Sequence, residues 1–231
     1  MLVHLNQLIS LIGSWKSLLE GDSPMSISIS LADIATAKKM AKQSKAMLPH
    51  LTYNQRLNEA AKDFFKLRSY HELVQLRGAT IMSHVKICDS IGSCAYCGFT
   101  FAPDLHEDVS LHQEHHDQYE AAVTALGYKP DLQREREQLK SDGYSAAYSG
   151  KTIEDRVEGA LAAMKGQFDR SLEYAIHGEY WKEHPSFGSF VAMMSNHYYH
   201  FADDTKAELA RRFGVIHGEI GEERAYWRPQ R

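Results

Sequence analysis

A chain of 231 residues with 43% hydrophobic and 24% charged residues is long enough for one large or two small cored domains, and too apolar for a disordered coil. Its net charge of -4 excludes a uniformly basic nucleic-acid coat. Three cysteines (Cys88, Cys94, Cys97) exclude a disulfide framework and point to a reducing, cytoplasmic setting.

Residues 1–24 are apolar but carry neither a basic leader nor an unbroken membrane span, so no membrane partner is expected. Leu5, Leu8, Ile12, Trp15 and Leu19 recur at helical spacing, which predicts an amphipathic segment that docks on the body or on a partner. Met25 offers an alternative start.

Residues 25–78 read as a tri-helical module. The first helix is expected over 32–47, with Ile34, Ala37, Ala41 and Met47 inward and Pro49 beyond its end. Thr52 with Gln55 and Ser69 with Glu72 are capping boxes for the second and third helices. Phe65 should close the second helix and Gly78 the third.

Residues 79–103, rich in Ile, Val, Phe and Thr, are the one stretch with strand character. Asp108 should cap a helix running to Gly127. Residues 131–231 form a C-terminal helical region: a charged helix over 131–143 and a long periodic one from Thr152 to about Trp181. A helix opened by Ser186 should run through about His200, and a last one over about 204–213. The fold class is therefore mainly α, with one small ββα-like zinc finger within residues 79–130.

Chemistry concentrates in that finger. Cys94, Cys97, His112 and His116 are spaced C-x2-C-x14-H-x3-H. A two-residue knuckle lets two thiolates reach one ion, and histidines at i and i+4 project from one helical face, so the set predicts four-coordinate Zn2+. Phe101 and Val109 are its expected apolar support. His115 gives a competing i+3 spacing, leaving the fourth ligand open between His115 and His116. The second polar cluster, His197, His200, Asp203 and Asp204, suits either metal binding or a helix end favoured by its dipole.

Charge is split along the chain. Residues 37–86 hold ten Lys and Arg against three carboxylates, a net +7; Lys38, Lys42 and Lys45 are expected on one helical face, and with Arg56 and Arg68 they are the candidate binding residues. Such a surface suits nucleic acid or an acidic protein partner, although a merely solvated face has the same composition. Between Ile87 and Tyr128 there is no Lys or Arg, against seven acids. A finger without cations is repelled by phosphate, and its base-reading positions −1, 3 and 6 fall on Leu105, Asp108 and Leu111.

The motif resembles the Cys2His2 zinc-finger superfamily, with Phe101 and Val109 where that family keeps core residues, though with fourteen rather than twelve residues between Cys97 and His112. The form C-x2-C-G with Asp108, His112 and His116 also looks like the finger of cohesin acetyltransferases. That resemblance implies metal binding alone, because no other acetyltransferase feature occurs. Residues 31–77, ending LRSYHELVQL, are similar to a helical module of bacterial, plasmid and phage proteins, some assigned to the glyoxalase superfamily. The remainder lacks the repeated βαβββ pattern of that fold, so lactoylglutathione chemistry is not implied.

The expected function is a zinc-binding intracellular regulatory or adaptor protein that works by binding rather than catalysis. A metal-dependent hydrolase or nuclease using Glu114, His115 and the 197–204 cluster is one alternative. A phage- or plasmid-encoded accessory protein that blocks a host machine is another.

Overall fold

Ser30 begins the first helix because its hydroxyl accepts the Asp33 N–H while the Asp33 carboxylate takes the Ser30 N–H in return. In this computed structural model, which describes residues 27–221, 224 and 226–229, that helix is α1 (Leu31–Gln43). The amphipathic segment expected over 1–24 lies outside the described residues. The chain divides into two units, Met1–Thr80 and Ile81–Arg231.

In the first unit, α1 is followed by α2 (Tyr53–Phe65) and α3 (Tyr70–Ser83). Thr52 and Gln55 form the reciprocal box that starts α2, and the Ser69 hydroxyl accepts the Glu72 N–H at the start of α3. Ile29, Ala37, Leu67 and Leu73 make the core of this unit, with Ile34, Phe65, Tyr70 and Leu76 packed against it.

Two boundaries differ from expectation. α1 ends at Gln43 rather than near residue 47, so Lys45 sits in the turn that follows. α3 passes through Gly78 to Ser83, so residues 79–83 are helical rather than strand. A glycine inside a helix costs about 1 kcal/mol relative to alanine. The chain before α1 offsets this: Ile29 donates its N–H to Thr80 Oγ1 at 3.0 Å and accepts from Arg77 Nη1 at 3.1 Å. Those long-range bonds hold the second half of α3.

The second unit opens with a three-stranded antiparallel sheet in the order β1 (Val85–Cys88), β2 (Ile91–Cys94), β3 (Thr100–Phe101). Cys88 pairs with Ile91, leaving the two-residue turn Asp89–Ser90, both at positive φ (48° and 66°) as a tight hairpin with this twist requires. After β3 comes α4 (His106–Leu126), closed by Gly127 at φ 62° as expected. It starts two residues before Asp108, whose carboxylate accepts the Ala102 N–H at 3.0 Å and ties the incoming strand to the first turn.

The remaining helices are α5 (Gln133–Ser149), α6 (Ile153–His177), α7 (Phe187–Met193) and α8 (Asp203–Phe213). The helix expected from Ser186 to His200 is two pieces, since Met194–His200 tightens to 3₁₀. α5 and α6 touch backbone to backbone. A Cβ on Gly143 would lie 2.4 Å from Ala163 N, and one on Gly159 would lie 2.4 Å from Ala147 N. One core runs through the unit, from Cys94, Cys97 and Tyr119 to Met164, Leu172 and Phe190. Among the described residues, no helix is long and apolar enough to cross a membrane.

Candidate metal centre

The four expected ligands are separated in sequence by as many as 22 residues, and local structure brings them together. Cys94 ends β2. The knuckle then turns back through two bonds, Gly98 N–H to Cys94 O at 2.9 Å and Cys94 N–H to Phe99 O at 3.0 Å. Gly98 stands at φ 76°, a region that a residue with a Cβ enters only at a cost. β3 returns alongside β2, and α4 presents His112 and His116 one turn apart.

The ligand atoms of Cys94, Cys97, His112 and His116 all lie within 4.8 Å of one another, and all four side chains are buried. Cys94 Sγ is 3.6 Å from His116 Nδ1. Tetrahedral Zn2+ with bonds of about 2.3 Å to sulfur and about 2.05 Å to nitrogen has an S···N edge of about 3.6 Å, so this pair is already at coordination distance. His112 is the more telling residue: it is fully buried, and neither ring nitrogen has a hydrogen-bond partner. An imidazole with both nitrogens dry and unpaired is costly unless an ion takes one of them.

The thiols carry the same message. The hydrogen bond from Cys97 and the nearby His112 and His116 rings hold Cys94 far below the ordinary thiol range, while that bond and burial push Cys97 far above it. A divalent cation would take both sulfurs as thiolates, and its binding would release their protons. The residues present fit a metal ion of the zinc type in number, donor chemistry and spacing.

Side chains outside the quartet fix the rings. Phe101 stacks on His112 with centroids 4.4 Å apart, and Tyr96, between the two cysteines, stacks on His116 at 4.8 Å. His84 stacks on the same ring at 5.7 Å. Glu120 Oε2 lies 4.0 Å from His116 Nε2, outside hydrogen-bond distance, on the ring edge away from the sulfur. Val109 is only half-buried. Sequence reasoning found Phe101 but missed Tyr96, His84 and Glu120. Only the aromatic residue inside the knuckle was a usable signal.

His115 is not part of the quartet. Its ring lies 5.0 Å from Phe99 and 5.6 Å from His177, and burial, followed by the His177 charge, lowers its pKa. His116→Ala is therefore expected to abolish stoichiometric metal binding and His115→Ala to retain it. Elemental analysis of the two purified variants checks this, and the reverse result would transfer the ligand role to His115.

The second polar cluster does not converge. Asp204 pairs with Arg156, Asp203 with Lys206, and His200 rests on Tyr199. Among the described residues, Cys94, Cys97, His112 and His116 are the one grouping of three or more metal-binding side chains.

Two buried polar sites escaped the sequence reading. Fully buried Asp169 accepts from Tyr128 Oη, from Asp131 N–H at 3.1 Å and from Lys165 Nζ at 2.7 Å. Ser171 Oγ lies 2.9 Å from His184 Nε2, the spacing of a nucleophile and its base. Ser171 is fully buried and also takes the Trp227 N–H at 3.1 Å, while burial lowers the His184 pKa to about 4. The pair ties the C-terminal segment to α6.

The basic candidates separate into three kinds. Lys38, Lys42 and Lys45 are exposed, and no carboxylate among the described residues pairs with them. Arg68 is exposed but held by Glu72 at 3.1 Å. Arg56 is buried: its guanidinium donates to Ala41 O at 2.9 Å and to Leu51 O, bracing α2 against the end of α1. It belongs to the packing of the first unit, not to its surface.

Comparison with protein-family models, with characterised proteins and with solved structures returned no match.

Proposed function

We propose that the chain holds one structural Zn2+ through Cys94, Cys97, His112 and His116, and acts as an intracellular adaptor or regulator that binds nucleic acid through the lysine surface of its first unit. The observation that carries the metal reading is the buried quartet, with donor atoms within 4.8 Å of one another and a His112 ring that has no other partner. Four protein ligands complete a tetrahedron and leave no position for a reacting water, which favours a structural over a hydrolytic ion. The ββα arrangement around the quartet supports assignment to the Cys2His2 type. Two thiolate ligands and an exposed Cys88 suit a reducing compartment.

The binding reading rests on Lys38, Lys42 and Lys45, exposed and without carboxylate partners among the described residues, whereas the finger offers only acids between Ile87 and Tyr128. Phosphate contacts give affinity that falls with salt, with a slope of about 0.9 per neutralised phosphate on duplex DNA. The triple substitution Lys38→Glu, Lys42→Glu, Lys45→Glu is expected to abolish binding of labelled DNA or RNA to the full zinc-loaded chain, read by fluorescence anisotropy at several salt concentrations. Glu107→Ala or Asp117→Ala should leave binding intact or strengthen it. Absence of any salt-sensitive affinity in the wild type at low ionic strength would turn the lysine surface into a protein-docking or solvated face.

A further inference from the structure

We propose that α2 and α3 form a helix-turn-helix that reads duplex DNA, with α3 entering the major groove and His71, Val74 and Gln75 facing the base edges. This rests on the reading above that the first unit binds nucleic acid, and narrows it to sequence-dependent recognition of the duplex.

The connection is the first ground. α2 ends at Phe65, its cap Lys66 reverses the chain at φ 59°, and α3 starts one residue after its own cap, Ser69. Two helices joined by four residues match the short turn of that motif, whose second helix lies in the groove with its N-terminal residues at the bases.

The two faces of α3 are the second ground. Leu73 and Arg77 are buried, and Tyr70 and Leu76 pack on the unit's core, which fixes the inner stripe. On the opposite stripe His71, Val74 and Gln75 are exposed, all within the first two turns. Their chemistry suits base edges: a glutamine amide pairs with adenine N6 and N7, an apolar branch meets a thymine methyl, and an imidazole N–H can donate to a purine acceptor. Val74, 45% exposed, is otherwise an apolar residue left in water in the middle of a polar stripe.

Charge is the third. The one carboxylate of α3, Glu72, is pulled aside by Arg68, accepting its backbone N–H at 2.6 Å as well as its guanidinium. From residue 27 to residue 80 there are nine Lys and Arg against four carboxylates, a net +5. Phosphates flanking a groove meet that sign, and an acidic protein groove, the competing occupant, would gain nothing from the glutamine and valine.

The test uses the full zinc-loaded chain and a pool of DNA duplexes with a randomised central segment, selected for binding and sequenced. The wild type is expected to enrich a motif. Gln75→Ala should erase the preference at one or two base pairs and weaken the enriched duplex about tenfold, a loss typical of one bidentate base contact. On a scrambled duplex the same variant should change affinity by less than about twofold, because no phosphate contact is lost. Lys38→Glu with Lys42→Glu should weaken both duplexes alike. Both His71 and Gln75 are exposed, so His71→Ala provides a second variant with an unaltered core. Salt-sensitive binding with no motif, or with a motif that survives both Gln75→Ala and His71→Ala, overturns the reading helix while nucleic-acid binding stands. No salt-sensitive binding to duplex or single strand overturns both.

Discussion

Cys97→Ala is expected to yield a protein without stoichiometric zinc in which residues 85–126 lose their amide-exchange protection. The variant removes one of four buried candidate ligands and leaves the His112 ring nitrogens without a partner. Structural zinc contributes about 10–16 kcal/mol of apparent binding free energy in small fingers, comparable to or above the roughly 5–15 kcal/mol by which whole domains are stable. The three short strands cannot replace that, since β3 is two residues long. Cys94, Cys97 and Tyr119 also form one end of the core that continues to α6 and α7, so the loss should lower the melting temperature of the whole second unit. Cys88→Ala, at an exposed site on the same hairpin, is the control and should change neither metal content nor melting. Full protection of residues 85–126 in metal-free Cys97→Ala would show that the segment folds without its ion.

The second large effect is expected far from the metal. Gly159→Val should destabilise the second unit by more than about 3 kcal/mol in urea unfolding, beyond the usual 1–3 kcal/mol of overpacking, because what the new side chain meets cannot swing away. Its Cβ would lie 2.4 Å from Ala147 N and 2.7 Å from Ala146 C, both backbone atoms of the facing helix. Gly143 meets the reciprocal wall at Ala163 N and Gly159 O. The two helices would have to separate along the contact they share. Gly127→Ala is the comparison: nothing lies within 4 Å of its Cβ, so only the strain of φ 62° remains, about 1 kcal/mol. A Gly159→Val protein within 1 kcal/mol of wild type would contradict the close helix contact.

What the sequence announced was what local chemistry decides. Thr52 with Gln55 starts α2 and Thr152 starts α6, each through side-chain bonds made within three residues, and Gly127 ends α4 by entering the left-handed region. The Cys/His spacing was legible for the same reason: a knuckle and one helical turn are local devices. The choice between His115 and His116 was not, because it depends on what lies on either side of α4: Tyr96 and Cys94 meet His116, while Phe99 and His177 meet His115.

Gly78 misled because long-range bonds from Ile29 to Arg77 and Thr80 hold the helix beyond it. Arg56 misled because a count of cations cannot tell a guanidinium that binds two carbonyls from one in water. The glycine contact of α5 with α6 left no mark in hydrophobic periodicity, since Gly143, Gly159 and Gly166 are buried yet scarcely apolar.

Elemental analysis of protein purified without chelator, coupled to thiol alkylation of the native chain, checks for a structural Zn2+ on Cys94, Cys97, His112 and His116. One zinc per chain is expected, with one fast-reacting thiol, the exposed Cys88, and with Cys94 and Cys97 becoming reactive only after the ion is stripped. A protein without metal in which Cys94 and Cys97 alkylate as fast as Cys88 would contradict the structural Zn2+.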